Sequence, residues 1–149
     1  MKNIGIFLCT NRRRKIPVLF NFGKFSEYFL KKGKLTGKAR KERERRMSRE
    51  LLEEFVFDRK AAEVLIGEAE GRPVGFALYF ENFSTFLGRT GLHLEDLFVD
   101  PDQRGKGYGK QLFQAVARIA AERGCQRLEW ACLNWNQPSI DFYHYMGAV

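Results

Sequence analysis

Metal ligands are scarce in this chain. Two histidines, His93 and His144, and three cysteines, Cys9, Cys125 and Cys132, are spread over 149 residues. No CxxC occurs and no spacing matches a zinc set, so a metal site is not expected. An odd number of thiols also argues against a disulfide framework and fits a reducing, cytoplasmic setting. No apolar run approaches the ~18 residues that a membrane span needs. The run Ile4–Cys9 is too short, and Arg12–Lys15 follows it, which reverses the charge order of a signal peptide. What the chain does contain is 44% hydrophobic, 14% aromatic and 30% charged residues, enough for one domain with a core.

The net charge of +8 is unevenly placed. Residues 1–50 carry 16 Lys/Arg against 4 Asp/Glu, whereas residues 51–149 carry 10 against 14. The basic run Lys38–Arg46 would attract phosphate polymers or acidic partners by counterion release, or serve as a solvated helix face or arm. No nucleic-acid-reading motif accompanies it, so nucleic acid is not the expected partner.

The chain divides accordingly into an atypical basic segment, 1–46, and a patterned domain, 47–149. Phe22, Phe25 and Phe29 have helical spacing, but Gly23, Gly33 and Gly37 interrupt any long helix there. From Ser48 a short capped helix to Phe55 is expected. Alternation then predicts strands over 62–70 and 74–80, joined by the turn Glu70–Pro73, and a third strand from Gly91 to Val99. A helix over 107–123 buries Leu112, Phe113, Val116, Ile119 and Ala120 and stops at Gly124. A strand over 127–133 follows, then a helix opened by Pro138 and ended by Gly147. This order implies a mixed α/β (α+β) sheet flanked by helices.

The most informative residues are Gln103–Gly109, between a strand and a helix N-terminus. Glycines there allow positive φ and close backbone approach, and the helix start adds amide donors and partial positive charge. Arg104, Lys106 and Lys110 add attraction, so a pyrophosphate cradle is expected. A Walker loop is absent, and Gly105, Gly107 and Gly109 do not fit a dinucleotide fingerprint. What remains is R-x-x-G-x-G, carried by Arg104, Gly107 and Gly109.

With that loop, Leu94–Val99 before it and Asn134–Tyr143 after it, the chain resembles the GNAT N-acetyltransferases, and within them the spermidine/spermine (diamine) acetyltransferase branch. The likeness runs from about Leu51 to Val149. It implies a GNAT acyl-CoA N-acyltransferase fold and acetyl-CoA as co-substrate. The activity implied is acetyl transfer to a primary amine of a polyamine, diamine or lysine-like acceptor by direct attack. Leu97, Phe98 and Val99 would offer backbone groups to the pantetheine arm, as a pseudo-strand. Arg104, Gly105, Lys106, Gly107, Tyr108, Gly109 and Lys110 would hold the pyrophosphate, and Asn136, Gln137, Pro138 and Ser139 the cofactor's other side. Tyr143 would protonate the departing thiolate, since a phenol's ordinary pKa is close to a thiol's. Glu95 and Asp96 would form the acidic pair for the amine. Strict alternation would send them to opposite faces, with Glu95 the one that serves the amine as cation site or base. Glu129, Trp130 and Ala131 would border the acceptor. A homodimer is also implied by the resemblance.

Two departures stand beside this likeness. Residues 1–46 lack the family's opening pattern, and the sequence stops two residues after Gly147, where relatives continue into further strands. A relative that binds CoA without a complete acceptor site, or a binder of nucleic acid or an acidic partner through residues 31–46, are the competing expectations.

Overall fold

A sheet grows from the alternating apolar residues between 62 and 99, and its helices come from the 3.6-residue stripes on either side of Gly124. In a computed structural model, residues 3–9 and 49–149 are described. They hold β1 (Gly5–Leu8), α1 (Arg49–Glu53) continued by a π-helical turn (Glu54–Asp58), β2 (Glu63–Ala69), β3 (Arg72–Ser84) and β4 (Arg89–Val99). A 3-10 turn (Pro101–Gln103), α2 (Tyr108–Glu122), β5 (Leu128–Trp130) and α3 (Gln137–Tyr145) complete them. The sheet order is β1-β2-β3-β4-β5. Its first four strands are antiparallel and β5 is parallel to β4, so the sheet is mixed, as expected. A parallel neighbour needs a long crossover, and α2 supplies it.

Both faces of the sheet are buried. On one face Leu112, Phe113, Val116 and Ala120 of α2 pack on Leu65, Ala77, Tyr79, Leu92 and Leu94. On the other, Val64, Ile66, Phe76, Leu78 and Phe98 cluster with Val56 from the π-helical turn. The end of α2 is fastened by Arg123, whose guanidinium forks onto the two carboxylate oxygens of Glu63, one contact being 2.8 Å. That fork holds the Glu63 carboxyl below its usual range.

Two expectations are adjusted. The sheet reaches across the boundary drawn after residue 46, because Gly5–Leu8 pairs with Leu65–Glu68. Gly5–Leu8 reads GIFL, an apolar run without alternation, so this strand left no period of two to read. The strand expected over 127–133 pairs only at Leu128–Trp130. The Ser48 cap, the phenylalanines at 22, 25 and 29 and the basic run 38–46 lie outside the described residues.

Leu112 has no exposed surface and touches the middle of the sheet. Leu112→Ala is expected to cost about 2–5 kcal/mol of stability, read as a lowered urea midpoint with an unchanged slope.

Candidate active site

One extra residue in β4 creates the site. Leu78 faces Asp96 across the β3–β4 ladder, but the next residue, Tyr79, faces Leu94, so Glu95 has no opposite number. This β-bulge resets the alternation. Leu92 and Leu94 lie on the α2 face before it, and Leu97 and Val99 lie on that face after it. Cross-strand pairing with Leu78 puts Asp96 on the opposite face, beside Phe98, and the contact of Glu95 with His93 puts Glu95 there too. The two carboxylates therefore share a face, where simple alternation would part them.

The bulge also ends the parallel ladder. β5 follows β4 only from Leu92↔Leu128 to Leu94↔Trp130. From Glu95 to Val99, β4 has no strand beside it on that edge among the described residues. Leu97, Phe98 and Val99 thus lie on a strand edge able to accept an extended ligand backbone. The ring of Phe98 is buried on the far face, so only its main chain is available.

That open edge runs straight into the glycine loop. Gly105 and Gly107 have φ of +74° and +83°, a backbone form that side chains rarely tolerate. Gly107 is the N-cap of α2, and no side chain caps the helix there. The first intrahelical bond is Gln111 N–H to the Gly107 carbonyl, 3.2 Å, so the amides of the first turn before it have no intrahelical acceptor and are donors of the kind that can bind an anion. The basic side chains are partly occupied by the protein. Arg104 Nε donates to the Val99 carbonyl at 3.0 Å, tying the loop to the end of β4. Lys106 Nζ donates to Gln103 Oε1 at 2.7 Å, and Lys110 Nζ to the Tyr145 hydroxyl at 3.2 Å. The Tyr108 ring is buried in the core, so that residue has only its backbone to offer a ligand.

α3 brings up the phenol. Asn136 precedes the helix and accepts from the Ser139 and Ile140 amides through its carbonyl, while Pro138 sits in the first turn. Gln137 is exposed and donates to Asp141 at 2.7 Å. Tyr143 stacks on Trp130, with ring centroids 4.6 Å apart, and packs on Phe113 and Phe142. Burial in this nest, with the negative potential of Cys132 and Asp96, pushes the Tyr143 phenol up to about 12, so it stays protonated near neutrality. Tyr143 also lines a hollow of about 320 Å³ along the outer side of β5, with Trp130, Cys132, Ile140 and His144.

The two acids differ. Asp96 is sheltered, and burial together with the charge of Glu95 pushes its carboxyl up to about 7. Glu95 is exposed. The stretch 129–131 divides between faces: Trp130 belongs to the aromatic nest, whereas Glu129 meets His93 and Arg127 on the other side. Ala131 is exposed just past β5. His93, Asn82 and Arg127 are residues that motif reading missed. The signal available was the pairing of the two strands, which puts His93 opposite Glu129. No cluster able to hold a metal occurs among the described residues.

The free strand edge thus leads into a glycine-turned helix start, and α3 carries a half-buried phenol packed against α2 and β5. The description "Acetyltransferase (GNAT) family" matches residues 28–148. The chain belongs to the GNAT acetyltransferase family. It is 45% identical over 74 residues to the L-ornithine N5-acetyltransferase NATA1 of Arabidopsis thaliana, covering 50% of this chain and 32% of that protein. It is 40% identical over 92 residues to a thialysine N-epsilon-acetyltransferase of Bos taurus, covering 58% of this chain and 52% of that one. The chain thus spans about a third to a half of these curated relatives. Among solved structures, an integron cassette protein from the mobile metagenome of V. cholerae aligns with a TM-score of 0.77 and 25% identity, over 100% of this chain and 87% of that one.

Asp96 carries a testable signature in this GNAT domain. Its carboxyl is raised in the fold, so its contribution to stability is fully present below the unfolded value of about 3.9 and is lost as pH rises through about 7. Asp96→Asn should therefore raise the melting temperature increasingly between pH 4 and pH 7, with the difference level above pH 8, as followed by scanning calorimetry.

Proposed function

We propose that this GNAT chain transfers acetyl from acetyl-CoA to a primary amine of a diamine, polyamine or lysine-like acceptor. The single observation that supports it most is the continuity of three elements: the open β4 edge at 95–99, the loop with left-handed Gly105 and Gly107, and the sheltered Tyr143. The names of the relatives favour the same acceptor class, since ornithine and thialysine both carry a side-chain amine.

The bound co-substrate supplies a thioester carbonyl, open to attack, and a thiolate leaving group. Amides of Gly105–Lys110 hold its diphosphate, and Leu97–Val99 hold its arm by main-chain hydrogen bonds. Asn136–Ser139 border it from α3. An amine arrives as an ammonium and must lose a proton before it attacks. Asp96, titrating at about 7, is a far better proton acceptor than an ordinary carboxylate and takes this role. Glu95, exposed one residue away, holds a cationic group of the acceptor. Tyr143, protonated at working pH, gives a proton to the leaving sulfur and regains one from the nitrogen as the amide forms, so that the single proton released is the one on Asp96. Attack is direct, without an acetyl-enzyme, since the motifs at 94–99, 103–109 and 134–143 carry no cysteine to hold the acetyl group.

Thiol release with acetyl-CoA and a panel of amines tests the reading. Turnover with diamines or lysine analogues is expected. A melting shift with CoA but no turnover would instead identify a non-catalytic binder. Tyr143→Phe should lower kcat by about 10²-fold or more while the KM for acetyl-CoA changes little. Gly107→Ala should do the reverse, raising the KM for acetyl-CoA through backbone strain at a φ of +83° with little effect on the KM for the amine.

A further inference from the structure

The face of the sheet opposite α2 carries a charge cluster that the proposed chemistry leaves unexplained. His93 lies flat on Phe80, with centroids 5.0 Å apart and planes 26° apart. Its Nε2 is 3.6 Å from Glu95 Oε2 and its Nδ1 is 3.6 Å from Glu129 Oε1. Both ring nitrogens therefore face carboxylates, one on the bulge and one on β5.

These carboxylates are not equivalent. Glu129 is already served, by the Asn82 amide donating at 2.6 Å and by Arg127, whose Nε is 3.1 Å away. Arg127 in turn donates to the Asn82 side-chain oxygen at 3.0 Å, which closes a ring of three residues. The Asn82 bond and the Arg127 charge hold the Glu129 carboxyl below its usual range. For Glu95, His93 is the sole basic group within ion-pair distance among the described residues. Asp96 lies next along the same face and adds negative charge when ionised. Phe80 and Asn82, from β3, are uncharged.

We propose that His93 is an internal counter-cation for Glu95, competing with the ammonium of the acceptor, so that protonation of this one imidazole sets the affinity for a cationic amine. The inference rests on the reading that Glu95 faces the acceptor. With a neutral imidazole the group Glu95, Glu129, Arg127 and His93 carries one net negative charge, and that charge resides on Glu95. With a protonated imidazole the group is neutral, and an arriving ammonium must displace a cation already seated 3.6 Å from the carboxylate. An imidazole can hold either charge state, so the competition depends on which one the ring carries. Linkage makes the effect reciprocal: an amine that loses affinity about tenfold to the imidazolium lowers the imidazole midpoint by about one pH unit when it binds. His93 is thus a specificity-determining residue, selective against cations and silent toward the co-substrate.

The test follows the imidazole itself. The full chain, labelled at histidine, is titrated by NMR from pH 5.5 to 8.5 with CoA, with and without a saturating diamine, so that no acetyl is available and nothing turns over. The diamine is expected to lower the His93 midpoint by about one unit and to leave His144 unmoved. Glu95→Gln should abolish that shift. In calorimetry, the dissociation constant of the diamine should rise several-fold from pH 8 to pH 6 for the native chain and by clearly less for His93→Gln, where only the ionisation of Asp96 still changes over that range, with CoA binding unchanged throughout. An equal rise in the two overturns the inference. A diamine that binds and is acetylated while the His93 midpoint stays fixed overturns this inference alone. Failure of every diamine to bind overturns the acceptor reading and this inference with it.

Discussion

The arrangement of this site depends on one unpaired residue. Inserting Glu95 into β4 obliges the strand to bend and twist, and the parallel ladder with β5 stops at Leu94 and Trp130. Everything on the proposed cofactor side follows from that separation. Without it β5 would continue alongside β4 and satisfy the groups at 95–99, and no strand edge would lead to the glycine loop. The bulge also turns two adjacent carboxylates to one side, which an unbroken strand cannot do.

A gap cut into a sheet exposes core, and the aromatic nest offsets that. Phe113 is the hub, with Trp130 edge-on at 5.2 Å, Phe142 at 6.1 Å and Tyr143 at 5.8 Å. Such pairs each contribute about 0.5–1.5 kcal/mol beyond the area they bury. They join α2, β5 and α3 at the point where backbone hydrogen bonding between strands has ended. The same packing fixes the Tyr143 ring and strips water from it, so the contacts that stabilise the gap also keep the phenol protonated. Stability and chemistry share one set of side chains here.

The legible parts of the sequence were those with a local cause. Alternation marked β2, β3 and β4, the apolar stripe marked α2, and the glycines of 103–109 marked a loop needing positive φ, which Gly105 and Gly107 adopt. The illegible parts had causes far away in the chain. β1 exists because β2 offers it an edge, and its four residues hold no period of their own. β5 is short because β4 bends away from it. The bulge itself was visible in principle: apolar residues on the α2 face occupy even positions at Leu92 and Leu94 and odd ones at Leu97 and Val99. A change of parity inside one strand requires one added residue, and Glu95-Asp96 is the only place for it. The cluster of Asn82, His93, Arg127 and Glu129 gives no such change of parity, since its members come from β3, β4, β5 and the residue before β5, which meet only in the folded sheet.

The neighbouring acids show how far position outweighs residue type. Asp96 and Glu95 are chemically alike and adjacent, yet one is sheltered enough to titrate near neutrality and the other stands in solvent beside an imidazole. Burial penalises the ionised form of Asp96, and the charge of Glu95 adds to the penalty. Whatever reduces the charge of Glu95, an imidazolium or a bound ammonium, therefore also eases the ionisation of Asp96. An acceptor that neutralises Glu95 on arrival makes the neighbouring base more acidic, and so more fully ionised, as it comes within reach. The proposed cation site and the proposed base are thus coupled through a single peptide unit, and the bulge that sets both on one face is what makes that coupling possible.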